Sequence, residues 1–183
     1  MDIRKLFSLE GRVALVTGAT HGLGMAVATA LAGAGATLAV NGHSADRLDK
    51  ALKTYENKGI DAKGYLFDVT DEQAVAEGVA RIEREAGPID ILVNNAGIIK
   101  RIPALEMTLP EWNEVIATDL TSPFLMSRAV AAGMIRRGHG KIVNMCSMMS
   151  EVGRSSVTAY AAAKGGLKML TKNLATEWAK HNI

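Results

Sequence analysis

The sequence predicts an α/β fold, a doubly wound parallel sheet with helices on both faces. Three observations carry that expectation. Short runs that are apolar at nearly every position alternate with helical stretches, turn residues mark the junctions, and a glycine cluster sits between the first run and the first helix. A strand covered on one face alternates apolar and polar residues, whereas one covered on both faces does not. Parallel neighbours need long crossovers, which the helices supply with right-handed connections.

The elements follow in order. Residues 13–17 (VALVT) form a buried strand that ends in glycines. Residues 25–34 are Ala-rich and helical, and Gly35 stands where a helix turns left-handed to stop. A second strand spans 37–40, and a charged helix spans 45–58 before Gly59. The third strand, 62–67, runs into Asp68-Val69-Thr70-Asp71, where Thr70 or Asp71 caps a helix that reaches Ala86 and stops at Gly87-Pro88. Residues 89–93 are the fourth strand, apolar except for Asp90. Thr108-Leu109-Pro110-Glu111 reads as a capping box that opens a long helix to Arg137, broken by Gly138-His139-Gly140. A fifth strand spans 141–145 and a last helix spans 159–180.

Composition narrows the function classes. With 183 residues, 48% of them hydrophobic, the chain fills one core, so residues 1–183 are expected to form a single domain. Lys and Arg number 21 against 19 Asp and Glu, a net charge of +2. That balance leaves no electrostatic footprint for nucleic acid or an anionic membrane, and neither is expected as a partner. Cys146 stands alone, so no internal disulfide is expected and a reducing compartment is the default. No run approaches the roughly 20 apolar residues of a membrane span. The opening segment 1–7 lacks the apolar core of a signal peptide, and a cytoplasmic location is expected. No metal is expected.

The glycine loop carries the first chemistry. In Thr17-Gly18-Ala19-Thr20-His21-Gly22-Leu23-Gly24, Gly18 permits a tight turn, Gly22 allows close approach to a pyrophosphate, and Gly24 allows helix to pack on strand. The following helix N-terminus offers unpaired N–H groups and a positive dipole end. The spacing is G-x-x-x-G-x-G rather than the commoner G-x-G-x-x-G. Gly18, Thr20, His21, Gly22, Leu23 and Gly24 are therefore candidate dinucleotide contacts. Further on, Tyr160 and Lys164 lie four apart and share a helix face. An ammonium beside a phenol favours the phenolate, which suits acid–base work on an alcohol or carbonyl. Ser147, at the end of the fifth strand, can donate to an oxygen on which charge develops.

Taken together, Thr17 to Gly24, Asp68-Val69, Asn94-Asn95-Ala96-Gly97, Ser147 and Tyr160 to Lys164 resemble the classical short-chain dehydrogenase/reductase family over essentially the whole chain. The resemblance implies a Rossmann-like sheet. It also implies that Tyr160 is the general acid/base, that Lys164 modulates it and holds the nicotinamide ribose, and that Ser147 orients the substrate oxygen. Asp68 and Val69 would contact the adenine, while Asn94, Asn95, Ala96 and Gly97 line the cofactor cleft and support the sheet. One departure stands out. The family commonly places an asparagine of a proton relay where this chain has Asp119, so the relay is expected in altered form, because a carboxylate accepts but does not donate.

The second strand ends Val40-Asn41-Gly42-His43-Ser44, with no acid to bind a ribose 2′-hydroxyl. His43 and His21 stand where relatives that use NADP often carry basic residues, with Asn41 and Ser44 as further donors. NADP(H) is therefore favoured over NAD(H). Past Gly97, Lys100-Arg101 interrupts an apolar loop, and Arg is shaped to grip a carboxylate with two hydrogen bonds. This run, with residues 146–151 and 160–170, is similar to the gluconate 5-dehydrogenase branch of the family. That similarity implies a sugar-acid substrate such as gluconate or its 5-keto form, held by Arg101, Ser147 and Tyr160, with Ser150 as a lesser candidate for a substrate hydroxyl. The alternatives are another carbonyl (a ketoacyl thioester, 2-deoxygluconate, another sugar or a steroid) or a non-catalytic dinucleotide-binding protein. The sequence stops where the family enters a sixth strand, so it is expected to be part of a longer protein. Family resemblance implies a homo-oligomer, dimer or tetramer, pairing the long helix and the last helix.

Overall fold

The computed structural model describes residues 6–183. Residues 1–5, part of the opening segment considered above, lie outside the described residues. Five parallel strands form one sheet in the order β3-β2-β1-β4-β5. They are β1 (Val13–Val16), β2 (Thr37–Gly42), β3 (Ala62–Leu66), β4 (Ile89–Asn94) and β5 (Lys141–Asn144). The helices are α1 (Gly22–Gly33), α2 (Ala45–Glu56), α3 (Glu72–Ala86), α4 (Leu109–Ile116), α5 (Ser122–Arg137) and α6 (Thr158–Trp178).

Burial on both faces explains the unbroken apolar runs. Leu15 packs with Ala39, Leu92, Ile82 and Met126 beneath α3 and α5. Its neighbour Val16 packs with Leu38, Val40, Ala28 and Leu48 beneath α1 and α2. A third cluster joins Val115 of α4 to Ala159 and Ala163 of α6. Fully burying an aliphatic side chain stabilises by about 1.5–3 kcal/mol, so these positions hold the layers together. The one acid in β4, Asp90, is a junction: its Oδ2 accepts from the Val13 amide at 3.0 Å, and its Oδ1 faces His139 Nε2 at 3.0 Å and Arg12 at 3.3 Å.

Local signals set the ends. The Asp71 side chain accepts from the Ala74 amide at 3.0 Å to start α3. Thr108 and Glu111 form the reciprocal capping box of α4. Gly138, at φ 72, ends α5 in the left-handed region. Two expectations change. The first helix begins three residues earlier, at Gly22, and the long helix is divided by a π-helical turn at Ala117–Thr121. Pro123 supplies the reason. It has no N–H to offer the Asp119 carbonyl four residues back and its ring crowds that group, while the Ser122 amide reaches the Ala117 carbonyl five back. The strand order reverses beside β1, which has β2 on one side and β4 on the other. In such sheets a ligand crevice opens at the carboxyl ends of those strands.

Candidate active site

A cleft of about 520 Å³ opens at that point. Gly18, Thr20, His21, Gly22, Leu23, Gly24, His43, Asp68, Val69, Asn95, Ala96 and Gly97 all line it. Gly18 and Gly22 have φ of 61° and 57°, a region that favours glycine. The glycine loop and the turn after β4 are fastened together. Thr17 Oγ1 accepts from the Asn95 amide at 3.0 Å and the Ala96 amide at 3.1 Å. Asn95 Nδ2 donates back to the Thr17 carbonyl at 2.9 Å and the Gly18 carbonyl at 3.2 Å. Behind the loop, the buried Tyr55 hydroxyl donates to the Ala19 carbonyl at 2.8 Å, and burial pushes its phenol up to about 12. His21 begins α1 in extended conformation, and its side chain does not cap the helix, so the first-turn N–H groups face the cleft without a side-chain acceptor.

The end of β2 decides what the far end of the cleft accepts. A Cβ on Gly42 would lie 2.8 Å from Thr20 Cγ2, so an acidic side chain at that position would have to displace Thr20. His43 is exposed on the cleft wall. Asn41, expected as a phosphate donor, is instead 2% exposed and gives its amide to the Tyr65 and Phe67 carbonyls at 3.3 and 3.0 Å. Its group is spent on joining β2 to β3. Arg47, which the sequence reading passed over, also lines the cleft and makes no ion pair among the described residues. Its signal was available: it is the third residue of the helix that follows β2, so it lies one turn from the strand end. Asp68 Oδ1 accepts from the Thr70 amide and hydroxyl, both at 2.8 Å, which fixes the turn beside buried Val69.

Asn94 supports the sheet instead of lining the cleft. Its amide donates to Asn144 Oδ1 at 2.8 Å and Ser127 Oγ at 3.0 Å. Tyr160, Lys164 and Ser147 are likewise absent from the walls of the dinucleotide cleft, but Lys164, which stands beside Tyr160, connects to it through Asp119. Lys164 is 5% exposed, and its ammonium donates to the Met145 carbonyl at 2.9 Å. The same nitrogen stands 3.2 Å from Asp119 Oδ2 and 5.6 Å from the centre of the Tyr160 ring. Asp119 Oδ1 accepts from the amide of Ile98, a cleft residue, at 2.7 Å. Burial pushes the Asp119 carboxyl up, against the pull of the Ile98 amide and the Lys164 charge.

Ser147 lies three residues past β5, where its Oγ accepts from the Met149 amide at 3.1 Å and starts a short 3₁₀ turn, Met148–Ser150. Ser150 Oγ donates to the Lys164 carbonyl at 2.9 Å and accepts from the Ser147 amide at 3.3 Å. It therefore locks the turn to α6, and its expected contact with a substrate hydroxyl gives way to that task. The two cations past Gly97 separate. Lys100 pairs with Glu114, whereas Arg101 is exposed with no ion pair among the described residues. The next amide, Ile102, donates to the Ser156 carbonyl at 2.8 Å, tying this loop to the one that precedes Tyr160. No helix among the described residues is long and apolar enough to cross a membrane, and none of their His, Cys, Asp and Glu side chains gather into a metal-binding group.

Comparison with known proteins adds the following. The sequence profile described as short chain dehydrogenase matches residues 12–183. The chain is 60% identical over 179 residues to the 2-dehydro-3-deoxy-D-gluconate 5-dehydrogenase of Formosa agariphila, covering 97% of this chain and 68% of that one. It is 48% identical over 178 residues to the gluconate 5-dehydrogenase of Gluconobacter oxydans, covering 97% and 70%. Among solved structures, a gluconate 5-dehydrogenase from Burkholderia cenocepacia in complex with NADP and tartrate superimposes with a TM-score of 0.93 at 38% identity, covering 99% of this chain and 71% of that one.

Proposed function

Since the chain belongs to the short-chain dehydrogenase family, and so to enzymes that act on CH–OH groups, we propose that it moves a hydride between NADP(H) and C5 of a six-carbon sugar acid. The observation that carries the choice of cofactor is the end of β2. Arg47 and His43 line the cleft there, while an acid at position 42 would have to displace Thr20. A 2′-phosphate finds donors at that end, and a bare ribose finds no carboxylate acceptor. The relative solved with NADP supports the same reading.

When bound, the dinucleotide supplies or takes up the hydride. The chain's own groups do the rest. The first turn of α1 receives the pyrophosphate through main-chain N–H groups. Tyr160 gives its phenolic proton to the carbonyl oxygen in reduction and takes it back in oxidation. Ser147 donates to the same oxygen, and Lys164 holds positive charge beside the Tyr160 ring at 5.6 Å. Arg101 receives the substrate carboxylate.

Two sugar acids compete. Gluconate and 5-ketogluconate suit the loop that carries Arg101. The higher identity to the Formosa enzyme, 60% against 48%, favours 2-dehydro-3-deoxygluconate, which keeps the carboxylate and the C5 alcohol and changes C2 and C3. Steady-state assays at the nicotinamide absorbance band test both, each with NADP and NAD. The proposal requires turnover of at least one of the two acids with a preference for NADP. Activity only on ketoacyl thioesters, or a clear preference for NAD, overturns it. A homo-oligomer formed through α5 and α6 belongs to the same reading, since Phe124 and Met169 on those helices remain exposed, and light scattering tests it.

A further inference from the structure

Arg101 is an exposed side chain on a fastened backbone. Its two neighbours are tied to different elements: Lys100 pairs with Glu114 of α4, and the Ile102 amide donates to the Ser156 carbonyl at 2.8 Å. Pro103 follows at once, which disfavours a helical turn at Ile102, and its carbonyl accepts from the Glu106 and Met107 amides at 2.9 and 3.1 Å. The far side of the crossing is unusual. Ser156 has φ 63°, in the left-handed region, and among the described residues Asn182 is the one other non-glycine residue with positive φ. Asparagine enters that region readily and serine does not. Strain of this kind persists only where the surroundings hold it. Here the Ile102 amide holds it on one side and Val157 on the other. Val157 is 2% exposed, and its carbonyl accepts from the Ala161 amide at 2.8 Å, within the first turn of the helix that carries Tyr160.

We infer that Ser156 is a positioning residue: its left-handed turn presents a carbonyl to Ile102 and so sets Arg101, which takes the substrate carboxylate, at a fixed separation from Tyr160, which meets the reacting carbon. The backbone conformation does this, and the serine hydroxyl has no part in it. Without the crossing, the Arg101 loop is held on this side by the Lys100–Glu114 pair alone, and a solvent-exposed ion pair holds weakly. Substrate binding must then bear the cost of ordering the loop, which weakens the grip on the carboxylate and leaves the chemistry at Tyr160 in place. The inference deepens the sugar-acid reading and rests on it for its kinetic arm.

Two substitutions at one position separate backbone from side chain. Ser156→Gly keeps the left-handed turn without strain, whereas Ser156→Val brings a β-branched residue that resists it. With melting curves to check folding, Ser156→Gly keeps KM and kcat within about twofold of wild type. Ser156→Val raises KM for the sugar acid about fivefold or more, with kcat and the KM for NADP within about twofold. In an Arg101→Ala background the same Ser156→Val change moves KM by less than about twofold, because the residue acts through Arg101. Hydrogen exchange at the Ile102 amide, read by NMR without substrate, supplies a second readout. That amide is protected in the wild type and in Ser156→Gly, and its protection drops about tenfold or more in Ser156→Val. Turnover of neither sugar acid by the wild type sinks the functional reading, and the exchange result then decides alone whether Ser156 holds the loop. An unprotected Ile102 amide in the wild type overturns the inference without any variant. So does an unchanged KM in Ser156→Val, an equal loss in Ser156→Gly, or an undiminished effect in the Arg101→Ala background.

Discussion

Gly24→Ala sets a small gain against a larger loss, and the structure fixes which one wins. Gly24 is the third residue of α1 with ordinary helical geometry, where Ala is worth about 0.5–1 kcal/mol over Gly. Its Cβ, however, would lie 2.4 Å from Asn95 Nδ2, 2.6 Å from the Gly18 carbonyl oxygen and 3.1 Å from Ala19 Cα. Two of those neighbours are backbone and cannot swing aside. Asn95 must withdraw, giving up its bonds to the Thr17 and Gly18 carbonyls. Two such bonds are worth about 1 kcal/mol each, and overpacking adds about 1–3 kcal/mol. The net result is destabilisation by about 2–4 kcal/mol, with the glycine loop displaced from the cleft wall. Gly33, the last residue of the same helix, meets nothing within 4 Å, so the same change there is neutral or stabilising by up to about 1 kcal/mol. Urea unfolding followed by circular dichroism measures both variants. Fluorescence titration with NADPH should show affinity falling about tenfold or more for Gly24→Ala, and unchanged for Gly33→Ala. Equal stability of the two variants, or full NADPH affinity in Gly24→Ala, refutes the account of the loop and turn as one fastened unit.

Three further outcomes follow from the same geometry. Arg47→Gln weakens NADP about tenfold by calorimetry and leaves NAD binding alone, because only the 2′-phosphate engages the lost charge-assisted bonds; equal loss for both cofactors contradicts this. Arg101→Ala raises KM for the sugar acid about tenfold or more with kcat nearly kept, since the carboxylate is bound alike in ground and transition states; an unchanged KM removes Arg101 from substrate binding. Tyr55→Phe loses the bond to the Ala19 carbonyl and costs about 1 kcal/mol at neutral pH. The folded protein keeps the Tyr55 proton up to about pH 12, whereas the unfolded chain releases it near the ordinary 10.0. That part of the stability is therefore complete below pH 10 and is lost as pH rises toward 12, by about 2 kcal/mol. Urea midpoints across that range should fall less steeply in Tyr55→Phe; parallel slopes refute the assignment.

What the sequence revealed, and what it hid, divides by the range of the forces involved. The glycine loop was legible because backbone demands appear directly as residue type: Gly18 and Gly22 adopt positive φ, and Gly24 sits under Asn95 where no side chain fits. The strands were legible because burial on both faces removes alternation, as in β1 with all four residues buried. Composition says little about where a polar side chain spends its hydrogen bonds. Asn41 and Ser150 looked free for ligands, yet one bridges β2 to the end of β3 and the other pins a turn to α6, choices set by neighbours more than ten residues away in sequence. Arg47 was missed for the opposite reason, since a charged residue in a charged helix carries no mark of which face it takes.

Asp119 lies between these cases. Its burial looks like a long-range accident, but a local cause was written in the chain. Pro123 sits four residues on in a stretch read as one uninterrupted helix, and a proline there must disturb the carbonyl of residue 119. Followed through, that conflict predicts a widened turn at 117–121, and the widened turn carries residue 119 inward. The acid is then forced into contact with whatever the core offers, and the core offers two donors, the Ile98 amide and the Lys164 ammonium. A buried carboxylate without such partners costs several kcal/mol, so the acid at 119 and the two donors facing it are a single structural decision.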